Sequence, residues 1–345
     1  MLYYKGEGHK VISLSQLEGT GFNPFLKSHG IEAHSYTVKQ GAFFFMRHLV
    51  YFITFCKRKK IDIVFSHLEP ANFVASIGQY FTKAKVYLCR HHIDEAALYK
   101  YNLSWSYKIT NRLARKMIVV SAASLKYMVE VENVPERKLI HINLAYDFNL
   151  FKIPTETEKK SIKSPFKNRL LIVTACRLTK FKRPELSIEV LTKLIENDVD
   201  AHLILLGNGE MFNELSAGIA AKGLHNHVSM LGHVDNVLDY LAIADFILHP
   251  SVLESSCVVI KEAGLVKKPV IVCKGIGDFD EYIQDMINGF AVDRDQFVDQ
   301  ASNVIITNFR KKEFLASVGT SLWVSIDKIF NVKNIAQQYH LLLQK

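Results

Sequence analysis

Ala244-Asp245-Phe246-Ile247-Leu248-His249-Pro250-Ser251-Val252-Leu253-Glu254-Ser255-Ser256-Cys257-Val258-Val259-Ile260-Lys261-Glu262-Ala263 holds the pattern from which the rest of the chain can be read. Residues 246–248 are apolar with no polar alternation and run into His249, a proline-containing loop follows, and helical spacing runs over 256–266. Residues 270–273 are apolar again. Strand, loop, helix, strand is a βαβ unit, and uninterrupted apolar strands suit a parallel sheet covered on both faces.

The same rhythm extends in both directions. Strands are expected at 170–175, 202–206 and 228–231, with helices at 184–196, 210–222 and 237–242, and from residue 295 the pattern is helical. Residues 170–330 therefore read as a doubly wound domain. Residues 152–169 carry two prolines, many charges and little apolar periodicity, and read as a linker. Before it, strands at 10–15, 31–36, 61–65, 85–89, 117–120 and 139–142 alternate with helices at 43–59, 71–82, 105–115 and 122–132. Residues 1–151 thus form a second domain of the same α/β class, and a helix at 331–345 is placed to pack back across it.

Composition agrees with two packed domains. The chain has 345 residues, 49% hydrophobic and 22% charged, with 17 Gly and 8 Pro, which excludes a disordered or fibrous protein. Its five cysteines, Cys56, Cys89, Cys176, Cys257 and Cys273, are scattered and never spaced as Cys-x-x-Cys, which argues against a disulfide framework or a zinc site and for a reducing cytoplasm. The formal charge of +9 is uneven: residues 1–150 carry 20 Lys/Arg against 11 Asp/Glu, and the remainder 23 of each. The first half is therefore expected to meet something anionic. No signal peptide is read at Met1–Gly6. Residues 43–56 are apolar but contain Arg47 and His48 and end in Lys57-Arg58-Lys59-Lys60, too short and too charged to span a bilayer. They suit either a buried helix of the domain or reversible docking on an anionic membrane surface. No aromatic-interleaved basic motif points to nucleic acid.

In an open parallel sheet ligands bind beyond the carboxyl ends of the strands. Arg177 and Lys182 follow the first strand of the second domain and offer two cations to a diphosphate. Gly207-Asn208-Gly209 follows the next, where backbone can approach a ligand closely or simply make a tight turn. It lacks the third glycine of a dinucleotide fingerprint. Glu254 and Glu262, eight residues apart, suit a ligand rich in hydroxyls, and the amides of Ser255, Ser256 and Cys257 suit a phosphate, with helix capping by Ser256 as the plainer reading. In the first domain, His91 and His92 follow strand 85–89, where either could hold a hydroxyl or move a proton. The other histidines read as structural or surface residues. Asp-x-Asp triplets at 198–200, 278–280 and 293–295 read as chance matches, so no metal is expected.

Taken together these segments resemble the glycosyltransferases of family 4. Arg177-Leu178 with Lys182 is similar to that family's phosphate clamp, Leu205-Leu206-Gly207-Asn208-Gly209 to its strand-end glycine loop, and Leu231-Gly232-His233-Val234 to its base-contacting segment. Ala244-Asp245, His249-Pro250-Ser251 and Glu254 with Glu262-Ala263 resemble its signature. The resemblance implies a GT-B fold, with two Rossmann-like domains facing a cleft, and a retaining transfer of a hexose or N-acetylhexosamine from a nucleotide diphosphate sugar. It implies that Arg177 and Lys182 bind the donor diphosphate, that Gly207, Asn208, Gly209, His233 and Val234 line the donor, and that Glu262 holds the ribose. Glu254, with the amides around Ser255, Ser256, Cys257 and Val258, would meet the transferred sugar or phosphate, and His91 or His92 would contact the sugar from the first domain.

The resemblance further implies a glycan or lipid-linked acceptor in envelope polysaccharide biosynthesis, no metal cofactor, and a cytoplasmic enzyme peripheral on the inner face of the membrane. Departures stand beside it. Ser255-Ser256-Cys257 replaces the usual Phe-Gly, Cys176 replaces a glycine before Arg177, and the family's first strand and glycine loop are expected to be missing before residues 8–11. That last departure motivates a non-catalytic or truncated GT-B protein as the alternative, with a nucleotide-sugar epimerase as a second.

Overall fold

The computed structural model describes residues 1–16, 22–37, 43–93, 104–166 and 168–344, so residue 167 of the expected linker and residue 345 of the expected last helix lie outside the described residues. The chain divides into two units, Met1–Ala145 with Val332–Lys345, and Tyr146–Asn331.

In the first unit β1 (Ile12–Ser15) pairs in parallel with β2 (Glu32–Ser35), while β3 (Ile63–His67), β4 (Lys85–Arg90), β5 (Lys116–Val119) and β6 (Leu139–His141) form a parallel sheet in that order. A single sheet is expected from the sequence. Among the described residues there are two, because every register partner of β1 lies on β2 and no ladder joins β1 to β3. Helix Val332–Gln344 belongs to this unit. Its Ile335 is buried in a cluster with Tyr87, Cys89, Ile118 and Ile142, and Tyr4 Oη donates to the Ala336 carbonyl at 2.7 Å. Helix Phe44–Lys59 buries only His48 and Cys56, while Phe43, Met46 and Val50 are 67%, 60% and 53% exposed along one stripe.

In the second unit β7 (Leu170–Ala175), β8 (Ala201–Leu206), β9 (Val228–Gly232), β10 (Phe246–His249), β11 (Val270–Cys273) and β12 (Phe290–Val292) form one parallel sheet in the order β12-β11-β10-β7-β8-β9. Its strands are mostly apolar because both faces are covered, with Thr174, His202, Ser229 and His249 as the polar exceptions. Leu170, Ile172, Leu203 and Leu205 enter one core with Ile188, Leu191 and Leu215, while Leu171, Val173, Ile204 and Leu206 enter another with Leu241, Ile260 and Ile326. Alternate side chains point to opposite faces, and each face has its own layer of helices.

Two boundaries differ from the sequence reading. The expected linker 152–169 lies inside the second unit, which begins at Tyr146. Thr155 and Glu158 form a capping box that starts helix Glu156–Lys163, and Ile162 and Phe166 pack on the core. The charged composition hides this short apolar edge. The helix expected at 256–266 is Val258–Leu265, with Cys257 at the N-cap, because the Ser256 hydroxyl is bonded to Asp278 instead of to the helix. No helix of the described residues is long and apolar enough to cross a membrane.

Candidate functional site

The carboxyl ends of β7, β8, β10 and β11 converge through their loops. After β7 the chain turns at Cys176–Leu178, and the glycine loop after β8 lies flat against it: a Cβ on Gly207 would sit 1.9 Å from the Cys176 carbonyl oxygen, and Leu178 N–H donates to the Asn208 carbonyl at 3.0 Å. Gly207 has φ +122°, so the residue is glycine on both steric and backbone grounds. Gly207, Asn208 and Gly209 therefore support the Arg177 loop. Beyond Lys182, Arg183 ties three strand ends together. Its guanidinium donates to the Pro250 carbonyl at 2.8 Å, the Arg294 carbonyl at 2.9 Å and Cys273 Sγ at 3.3 Å. Val252 N–H donates to the Phe181 carbonyl at 2.9 Å, locking the loop after β10 to the one after β7.

These loops enclose a cavity of about 240 Å³ lined by Ala175, Cys176, Arg177, Lys182, His249, Glu254, Ser256, Cys257, Val258 and Val259. Glu254 is its electrostatic centre. One carboxylate oxygen accepts from Lys182 Nζ and from His249 Nε2, the latter at 2.5 Å, and Cys257 Sγ lies 3.4 Å from that nitrogen. Burial by itself raises the Glu254 carboxyl, but His249 and Lys182 outweigh it and hold the group down at about 2. Burial likewise lowers His249, yet Cys257 and Glu254 push it up to about 10. Lys182 is lowered by burial and raised more strongly by Glu254 and Cys257, so it keeps its charge. Among the described residues Arg177 has no ion-pair partner and is exposed at the rim, a cation available to an anionic ligand.

Behind the cavity wall, Lys261 and Asp278 form a completely buried ion pair. Ser256 Oγ donates to Asp278 Oδ2 at 2.6 Å and accepts from Lys261 Nζ at 3.1 Å, so the pair fixes the residue before the N-cap of helix Val258–Leu265. Asp280 instead accepts from the Gly275 N–H at 3.1 Å. The two carboxylates of this Asp-x-Asp triplet thus have separate structural partners. Burial raises the Glu262 carboxyl, which is half-buried on the same helix.

In the first unit His91 Nε2 lies 2.7 Å from His67 Nδ1, with rings 5.0 Å apart. Burial, then His67 and His92, lowers His91 to about 4, so the pair is neutral around pH 7, one ring donating to the other.

Of the residues singled out by sequence, the cavity gathers Arg177, Lys182, Glu254, Ser256, Cys257 and Val258. It does not gather Gly207, Asn208, Gly209, His233, Val234, Ser255 or Glu262. His233 is exposed beside Asp235 at 3.6 Å, and Ser255 is buried. His249, which the sequence places in the signature segment without a role of its own, is a cavity residue, and His67, among the histidines read as structural or surface, is the partner of His91. The signal for both was position, since His249 ends β10 and His67 ends β3.

Residues 155–319 match the profile of the family described as glycosyl transferases group 1. The chain is 26% identical over 238 residues to the capsular polysaccharide biosynthesis glycosyltransferase CapH of Staphylococcus aureus, a match covering 66% of this chain and 62% of that protein. It is 26% identical over 175 residues to the N-acetyl-alpha-D-glucosaminyl L-malate synthase of Bacillus anthracis, covering 50% and 44%. The chain thus spans less than two thirds of the length of these relatives. Among solved structures, Anabaena Alr3699/HepE in complex with UDP superposes with a TM-score of 0.83 at 19% identity over 97% of this chain and all of that one. Its complex with UDP-glucose gives 0.81 at 21% identity over 96% and 91%. The fold is GT-B.

Proposed function

From a GT-B chain that carries a glycosyl transferases group 1 domain at residues 155–319, we propose a retaining transfer of a hexose or N-acetylhexosamine from a nucleotide diphosphate sugar to a hydroxyl of a glycan or lipid-linked glycan in polysaccharide biosynthesis. The bond broken joins the anomeric carbon to the diphosphate, the bond formed joins it to the acceptor oxygen, and the hydroxyl proton is released. The observation that carries this reading is the meeting of Arg177, Lys182 and Glu254 in one cavity at the carboxyl ends of the strands. Arg177 and Lys182 neutralise the departing diphosphate, where negative charge develops. Glu254, ionised and fixed by His249 and Lys182, accepts hydrogen bonds from sugar hydroxyls. Glu262 holds the ribose. With two cations serving the phosphates, no divalent cofactor is required. The UDP and UDP-glucose in the Anabaena complexes, and the capsular role in the name of the staphylococcal relative, support the donor class and the pathway.

We place the chain in the cytoplasm, peripheral on the inner membrane face, with helix Phe44–Lys59 as the docking element. The test of the activity is a panel of UDP-, GDP- and ADP-sugars with lipid-linked and soluble glycan acceptors, run with and without EDTA. Acceptor-dependent glycoside formation that survives EDTA is expected. Sugar turnover without acceptor would favour an epimerase, and no binding or turnover of any donor would remove the reading.

A further inference from the structure

We propose that Arg183 is a positioning residue, which holds Lys182 at the cavity by strapping the loop after β7 to the loops after β10 and β12. The inference rests on the reading of that cavity as the donor diphosphate site. Arg183 is not among the residues that line the cavity, so it acts on a ligand there only through its neighbours.

The backbone at this position is not one that the local sequence favours. Arg183 has φ 48° and ψ 47°, the left-handed region that glycine enters freely and a residue with a Cβ resists. Pro184, the first residue of helix Pro184–Glu196, biases the residue before it towards extended backbone, so it gives this turn no support. What holds the turn is the arginine side chain. Each guanidinium nitrogen has its own acceptor: Nε donates to the Pro250 carbonyl at 2.8 Å, Nη1 to the Arg294 carbonyl at 2.9 Å and Nη2 to Cys273 Sγ at 3.3 Å. The donors of a planar fork are fixed relative to one another, so engaging all three nitrogens orients the whole residue. On the other side of Lys182, the Phe181 carbonyl accepts from Val252 N–H at 2.9 Å and from Ser251 Oγ at 3.2 Å. Lys182 is therefore fastened at both flanking residues. The segment that does much of the fastening, residues 250–252, leads directly to Glu254, the partner of Lys182 Nζ. An ammonium on a four-carbon stem loses freedom when a ligand orders it, and clamping its backbone beforehand leaves less to lose.

The test is UDP affinity by calorimetry on the full chain, at a temperature where melting curves show each variant folded. Arg183→Gly leaves the left-handed backbone accessible but removes the straps, and should weaken UDP binding by about fivefold or more. In a Lys182→Ala background the same substitution should change the affinity by less than about twofold, because the ammonium it positions is gone. Arg183→Lys keeps the charge but cannot serve three acceptors at once, and should weaken binding by roughly threefold or more. Equal weakening in the parent and in Lys182→Ala would mean a general disturbance of the loops and overturns the inference. Full affinity in Arg183→Gly or in Arg183→Lys overturns it as well, the second because charge alone would then suffice. If Arg183→Gly fails to fold, Arg183→Lys measured in both backgrounds decides in the same way. A parent that binds no UDP, or Lys182→Ala binding it as tightly as the parent, would remove the donor-site reading itself, whereas weakened Lys182→Ala beside full-affinity Arg183→Gly removes this inference alone.

Discussion

Lys182 shows how one side chain acquires a role from its neighbours. On a loop it would be an ordinary solvated cation, but here it is largely buried against an ionised Glu254, at the edge of a cavity that an anion can enter. Lys182→Ala removes both the proposed phosphate partner and one of the two groups that keep Glu254 charged. Affinity for UDP, followed by calorimetry, should fall tenfold or more, and unchanged affinity would remove Lys182 from the proposed site. His202 makes a different kind of prediction. It is buried, its Nε2 pairs with Ser229 Oγ at 2.9 Å, and burial, with Arg169 adding to it, lowers it from 6.5 to about 4. A folded value below the unfolded one means that the native state binds fewer protons. Stability is then full above pH 6.5 and is lost as pH falls from 6.5 to 4. His91, lowered for the same main reason, acts in the same direction in the first unit. The melting temperature should drop across that window, and His202→Gln should reduce the drop. An identical profile in the variant would contradict the assignment.

At the scale of an element, helix Val258–Leu265 is decided by what lies beneath it. Its spacing is legible in the sequence, but a lysine on its buried face is not predicted by any apolar pattern. Lys261 is tolerated because Asp278 meets it and because Tyr282 and Phe330 place rings 4.8 and 4.4 Å from its ammonium. Lys261→Met leaves the Asp278 carboxylate buried without its cation, at a cost of about 3–5 kcal/mol. The second unit should therefore unfold at markedly lower denaturant, and Lys261→Met combined with Asp278→Leu should recover most of the loss. A single variant as stable as the parent would show that the pair contributes nothing. The same pair holds Ser256 out of the capping position, which is why the helix starts at Val258 rather than at 256.

At the scale of the whole molecule, charge and exposed apolar surface fall in the same half. The excess of +9 lies entirely in residues 1–150, and helix Phe44–Lys59 presents Phe43, Met46 and Val50 to solvent ahead of Lys57, Arg58, Lys59 and Lys60. A helix that only filled a core would bury those three side chains. Each basic residue near an anionic leaflet contributes about 1 kcal/mol, so the cluster can hold the chain reversibly at a surface. Co-sedimentation with vesicles containing phosphatidylglycerol should exceed that with neutral vesicles and should be reversed by salt. Met46→Glu with Val50→Glu should weaken it, and equal negligible binding to both vesicle types would make the basic run a solvated face.

The βαβ alternation, the two-part α/β organisation and the strand-end positions of Arg177, Lys182 and Glu254 were legible in the sequence, because a two-sided parallel sheet demands apolar strands and places its ligands beyond their carboxyl ends. Residues 152–169 read as a linker, and the capping box of Thr155 and Glu158 with its helix came only from the structure, because charged residues surround a short apolar edge. What only the tertiary structure decided are relations between residues distant along the chain: His67 against His91, Gly207 against Cys176, and Lys182 with His249 on one oxygen of Glu254. Periodicity reports which face of an element is covered. It carries no information about which side chain covers it, and it is the return of separate strand ends to one place that turns scattered histidines, cysteines and carboxylates into a site.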